Sequence, residues 1–193
     1  MSSTKLAWLA TVLALELALS IGGAASADDQ TEPGKTPMVG GAAMFPYKNI
    51  IQNAVESKDH TTLVAAVKAA GLVDTLEGPG PFTVFAPTNE AFEKLPPGTV
   101  ESLLKPENKA TLLKVLTYHV VAGKLTEARL RSAIKAGGGA ATLTTVEGEP
   151  LTVSLYDDRI MLTDAKGGIS KVTIGNVFQS NGLIDVVDGV LTP

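Results

Sequence analysis

The hydrophobic period of this chain changes to two from Ala140 onward, and that change restricts the fold more than any other feature. Up to about residue 136, apolar side chains recur with the spacing of short helices. From Ala140 onward, Leu151, Val153 and Leu155 alternate with Thr152, Ser154 and Tyr156, which is the period of a strand. Helices crowded into one half and strands into the other predict an α+β domain rather than repeating βαβ units. No internal repeat is found, so one module is expected.

The helical half is interrupted by one strand. Thr83–Ala86 is β-prone, and Pro87 stops it. Thr88 or Asn89 can then cap a helix starting near Glu90, whose carboxylate suits the first turn. Before this joint, Tyr47, Ile50, Ile51, Ala54 and Val55 predict a helix over Tyr47–Glu56. A second helix starts at Asp59 or Thr61, carries Leu63, Val64, Val67 and Ala70, and ends at Gly71. Leu72–Leu76 predicts a short turn of helix. After the joint, Thr99–Leu104, Glu107–Thr117 and Glu127–Lys135 read as helices, the last capped by Thr126. Strands are expected at Leu151–Tyr156, Ile160–Thr163, Lys171–Ile174, Leu183–Val187 and Val190–Thr192. Asp157-Asp158 reads as a hairpin tip, and Gly137–Gly139 as a flexible loop rather than a phosphate cradle, since no Lys-Ser/Thr follows.

The amino terminus reads as a secretory leader. Lys5 precedes the apolar run Leu6–Ile21, and Ala25-Ser26-Ala27 offers a small-x-small cleavage site ahead of Asp28-Asp29. Insertion of six leucines at about 0.3–0.6 kcal/mol each is offset by Glu16 at about 2.5–3.5 kcal/mol, and the run falls short of the ~20 residues that span a bilayer. Cleavage is therefore expected after Ala27. The expected division is a signal peptide at 1–27, a linker at 28–44 rich in Pro, Gly and Asp, and a folded domain at 45–193. No membrane span is expected after cleavage, and the product is expected to be secreted or periplasmic.

Composition narrows the chemistry. The net charge is −4 with no basic stripe, so nucleic acid is a poor partner. There are no cysteines, which removes disulfides, thiolate metal sites and a cysteine nucleophile. His60 and His119 are the only histidines, too few for a His-rich metal site. Glu147 and Glu149 flank Gly148 at an expected turn, which suits solvation better than acid–base work. No enzyme activity, no metal and no cofactor is expected, because no constellation assigns catalytic roles to named residues.

Three segments carry a family resemblance when taken together. Thr83–Phe92 resembles the first signature box of the fasciclin (FAS1) family. Thr117-Tyr118-His119-Val120-Val121 resembles its central Tyr-His element, and Ser180–Pro193 its second box, in matching order and spacing. The resemblance spans about Phe45 to Pro193 and is similar to the single-domain secreted fasciclin proteins of bacteria. It implies a small β-wedge packed against a bundle of short helices. It also implies adhesion or protein recognition, with an extracellular or envelope protein as partner.

The resemblance assigns recognition candidates. In animal matrix members the Tyr-His element and an Asp-Ile pair before the second box have been linked to integrin contact. Those positions fall on Tyr118, His119, Asn176 and Val177 here. Asn176 stands where the family has an acid, and Asp185 where it commonly has His, so a metal-bridged contact lacks its expected carboxylate. Read from the residues alone, Tyr118-His119 lies among Leu116, Val120 and Val121, and burial as a hydrogen-bonded core pair competes with direct recognition. Asn181-Gly182 reads as a turn. The tract Met38–Pro46 reads as packing, although an exposed patch there would suit a partner. The alternative function is carriage of an apolar small molecule such as a carotenoid, in a pocket between helices and sheet.

Overall fold

A computed structural model describes residues 36–193; the expected leader and linker residues 28–35 lie outside them. The packed region opens with a two-stranded hairpin, β1 (Met38–Val39) and β2 (Ala42–Ala43), where a linker is expected from sequence. Val39 and Met44 are buried in the core, so the tract Met38–Pro46 contributes packing. Strands of two residues have no measurable period, which is why the sequence reads there as a loop.

Helix α1 (Ile50–Ala54) is shorter than the expected Tyr47–Glu56. Its start is set by a capping box: Asn49 Oδ1 accepts from the Gln52 amide, and Gln52 Oε1 accepts from the Asn49 amide. α2 (Thr61–Ala70) ends at Gly71, whose φ of 76° is the left-handed cap that a side chain would oppose. α3 (Val73–Glu77) follows, then strand β3 (Phe82–Pro87) and helix α4 (Asn89–Glu93). Thr88 caps α4 through the Ala91 amide, as the strand-to-helix joint predicts. Asn89 does something else: its Oδ1 accepts from the Thr62 amide at 3.0 Å and its Nδ2 donates to the Lys58 carbonyl, tying α4 to the start of α2. α5 (Thr99–Leu103), α6 (Lys109–Tyr118), strand β4 (Val120–Ala122) and α7 (Glu127–Ala136) complete the helical half.

Five strands follow: β5 (Ala140–Thr144), β6 (Pro150–Tyr156), β7 (Arg159–Thr163), β8 (Ile169–Gln179) and β9 (Gly182–Val187). They join β3 and β4 in one seven-stranded sheet of order β4-β3-β9-β8-β7-β6-β5, in which only β3 and β9 run parallel. The Asp157-Asp158 turn has φ of 49° and 58°, the mirror-type geometry that suits a two-residue hairpin. Val146 N–H donates to Val120 O at 2.7 Å and Val121 bridges Thr145, so the two ends of the sheet meet and the sheet curls into a wedge.

Two apolar cores lie on either side of β3 and β9. Val84, Ala86, Ile184 and Val186 face the core built by α1, α2, α3, α4 and α6. Phe85 and Val187 face the other way, into the core that α7 closes with Leu130 and Ile134 over Leu151, Val153, Ile160 and Leu162. This is why Thr83–Ala86 and Leu183–Val187 read as near-continuous apolar runs rather than alternating ones. Burying a side chain such as Phe85 contributes about 1.5–3 kcal/mol, and each face of these strands carries several. The fold is thus the α+β domain that the hydrophobic pattern predicts, with the β-wedge and helix bundle that the family resemblance implies.

One strand expected from sequence is absent. Val190–Thr192 is not paired into the sheet; the chain leaves β9 at Val187, bends at Asp188-Gly189 and runs on without regular structure. Side chains hold it instead of a neighbouring strand.

Candidate functional site

Tyr118 and His119 close α6, and both are fully buried. The Tyr118 hydroxyl donates to Pro150 O at 2.7 Å and accepts from the Ala165 amide at 3.0 Å, joining α6 to the start of β6 and to the β7–β8 turn. Burial pushes its ionisation upward. The Leu191 amide can only donate, so His119 Nε2 accepts from it at 3.0 Å, and Nδ1–H donates to Val115 O at 2.7 Å. This ring is neutral, and burial lowers its pKa to about 4. Asp164 fixes the next residue of the tail: its Oδ2 accepts from Thr192 N and Oγ1, both at 2.9 Å. The central Tyr-His element and the second box are therefore two halves of one internal clasp.

Asn176 and Val177 lie in β8, at a place where the β8–β9 register slips. Val177 is fully buried and lines the helix-side core. Asn176 is half-buried, with φ of 56° in the left-handed region that Asn tolerates. Its Oδ1 accepts from the Glu127 amide at 2.8 Å, so it satisfies a free donor at the first turn of α7. Its own amide donates to Asp185 Oδ1 at 2.9 Å. The two departures from the family pattern, Asn176 and Asp185, are thus in direct contact. Asp185 is 1% exposed, and burial, reinforced by the nearby Glu127 carboxylate, raises its pKa to about 7.

The four recognition candidates do not form a common exposed face: three are core and the fourth has its side chain engaged. Among the described residues no three His, Cys, Asp or Glu side chains gather around a point that would hold a metal. Asn181 makes more than a turn. Its Oδ1 accepts from the Ile50 amide and its Nδ2 donates to Leu76 O and Gly78 O, which docks α1 and α3 beside β9.

Two further features complete the surface and interior, the first at the helix–sheet interface where a pocket is expected. The first is an apolar cavity of about 40 Å³ between α1, α2, α3 and the sheet, lined by Ile50, Leu63, Val67, Val84 and Ile184. His60 borders it, with Nδ1 2.8 Å from Ser57 Oγ and its pKa lowered by burial. Nε2 of His60 lacks a well-formed hydrogen bond, although the Ala86 carbonyl is close enough to act on the ring. The second is the outer face of the wedge. Residues Thr142, Thr152, Thr163 and Ile169 stand in one row across β5, β6, β7 and β8, opposite the face that α7 covers. Tyr156 is 75% exposed and Ile169 67% exposed at its two ends. The alternation of apolar and hydroxyl side chains in β6 carries this face, and is legible in the sequence as strand period alone.

Comparison with known proteins agrees with this architecture. The fasciclin domain family matches residues 58–193. Protein sll1483 of Synechocystis sp. is 47% identical over 159 residues, covering 82% of this chain and 81% of the relative. The cell surface glycolipoprotein MPB83 of Mycobacterium bovis is 35% identical over 174 residues, covering 87% of this chain and 68% of the relative. Among solved structures, the FAS1 domain pair of the insect cell adhesion molecule Fasciclin I superposes with a TM-score of 0.69 at 19% identity. That match covers 77% of this chain and 52% of the pair, and its likeness is one of fold.

Proposed function

The chain belongs to the fasciclin family, and we propose that it is an exported module that recognises other proteins at the bacterial cell surface or in the periplasm, without enzymatic activity. The outer face of the wedge carries this reading. A sheet with one face packed needs only polar alternation on the other, yet this one ends in exposed Tyr156 and Ile169. Exposed aromatic and aliphatic groups around a hydroxyl-rich row suit contact with a protein surface. The leader expected at 1–27 supports export, and a relative named as a cell surface glycolipoprotein supports the location. Tyr118 and His119 serve this function as framework, and Asn176 and Val177 as the support of the β8 irregularity. Deleting the gene should reduce attachment of the bacterium to surfaces or to neighbouring cells; undiminished attachment would sink the proposal.

A second reading, carriage of an apolar small molecule such as a carotenoid, is favoured by the apolar cavity between helices and sheet. Its size argues for second place. Ligand pockets run to about 300–1,000 Å³, so α1 and α2 would have to part before a long molecule could enter a space of about 40 Å³. Protein purified from its native host should then be coloured or yield an extractable ligand. Colourless protein that takes up no added carotenoid would remove this reading.

A further inference from the structure

Asp185 is the one side chain in β9 that a core strand would not be expected to hold. Its neighbours on the same face are Leu183 and Val187, and Phe85 of β3 lies beside it in parallel register. None of these is charged. From β8, the Asn176 amide donates to Oδ1, while Oδ2 has no hydrogen-bond partner among the described residues. From α7, Glu127 approaches the same point: a Cβ placed on Gly175 would lie 3.4 Å from Asp185 Oδ1 and 3.5 Å from Glu127 Oε2. Both carboxyl groups therefore border the same point beside Gly175.

The cations of this region are turned elsewhere. Arg131, one turn along α7, binds the other Glu127 oxygen, Oε1, at 2.9 Å and reaches Asp158 Oδ1 at 2.6 Å at the β6–β7 hairpin tip. Lys171 of β8 pairs with Asp188 at 3.5 Å. An ionised Asp185 would therefore be a buried anion beside a second carboxylate that already holds Arg131, with no positive partner of its own among the described residues.

Asp185 is also the base of a chain of contacts. It holds the Asn176 amide; Asn176 holds the Glu127 amide at the first turn of α7; Glu127 holds Arg131; and Arg131 holds the hairpin tip through Asp158. We propose that Asp185 is a proton-controlled latch: protonated, it keeps the β8 irregularity and the first turn of α7 seated on the sheet, and on ionisation the cost of a buried, half-unpaired carboxylate outweighs its stronger bond to the Asn176 amide, so that turn lifts to admit water. The latch acts on the α7 end that borders β6 and β7, and is independent of what the protein binds.

Proton linkage fixes the direction. The seated state holds the proton up to about pH 7, whereas the opened state releases it near the ordinary aspartate value of 3.8. Opening is therefore favoured about tenfold per pH unit between those limits, and levels off above them.

Amide hydrogen exchange on the purified protein between pH 5 and 8, corrected for intrinsic exchange, reads this directly. Protection at Glu127 and Asn176 should fall by about tenfold per unit up to pH 7 and then level. At pH 8 both should exchange through an opening that leaves the Phe85 amide, bonded to His119 O inside the fold, still protected. Asp185→Asn should flatten the profile, and Glu127→Gln should move its levelling point to lower pH. A wild-type profile that is already flat, or exchange at Glu127 and Asn176 no faster than at Phe85 at pH 8, would overturn the latch. So would an unaltered profile in Asp185→Asn. Should that variant fail to fold, an unmoved levelling point in Glu127→Gln would overturn it equally.

Discussion

His119 joins two parts of the chain that are 72 residues apart, through a ring that must accept on one nitrogen and donate on the other. Replacing it with Ala leaves the Leu191 amide and the Val115 carbonyl without that partner. We expect a loss of about 1–3 kcal/mol, measured by chemical denaturation. The burial of this residue is legible in its flanks, because Leu116, Val120 and Val121 surround it in sequence. Its acceptor role is not, since nothing local points to Leu191. Asn176 and Asp185 show the same limit. Each reads separately as a departure from the family pattern, and only the pairing of β8 with β9 makes them one contact.

Elements with strong start and stop signals are legible in the sequence, and those defined by tertiary contact are not. Gly71 ends α2 as expected, and Thr88 opens α4, because capping is a local matter. Val190–Thr192 has β-prone residues, yet its amides bond to side chains at the end of α6 and at the β7–β8 turn, a choice that propensity cannot express. The β1–β2 hairpin is too short to show any period. Asn181 is legible as a turn but not as the joint of three elements. Asn181→Ala strips partners from Ile50 N, Leu76 O and Gly78 O at once. It should cost about 2–3 kcal/mol, more than the loss of about 0.5–2 kcal/mol expected when the α7 cap is removed in Thr126→Ala. Comparing the two denaturation midpoints checks the order; a larger loss in Thr126→Ala would contradict it.

At the scale of the molecule, two buried groups set opposing pH dependences. His119 has a folded pKa of about 4 against 6.5 when unfolded, so its contribution is present above pH 6.5 and is lost as pH falls through 4. Asp185 has a folded pKa of about 7 against 3.8, so its contribution is present below 3.8 and is lost as pH rises through 7. Each spans roughly 3–4 kcal/mol, and between pH 4 and 6.5 they run against each other. Wild-type stability should thus vary less across that window than the buried histidines alone would make it, His60 acting in the same direction as His119. Asp185→Asn should instead gain stability from pH 4 to 6.5, because the His119 slope is then unopposed. Urea denaturation at three pH values distinguishes these outcomes, and parallel profiles for the two proteins would contradict the assignment.

The two cores around β3 and β9 take up most of the apolar side chains of the family boxes, and the outer face of the wedge is the surface left for recognition. The variant Tyr156→Ser with Ile169→Lys changes only that face, and as a surface change should alter stability by no more than about 0.5 kcal/mol per site. The decisive measurement is attachment of the bacterium when this variant replaces the wild-type gene. Attachment reduced to the level of the gene deletion, with an unchanged melting temperature, is the predicted result. Wild-type attachment by the variant, in a strain whose deletion abolishes it, would place recognition elsewhere on the molecule.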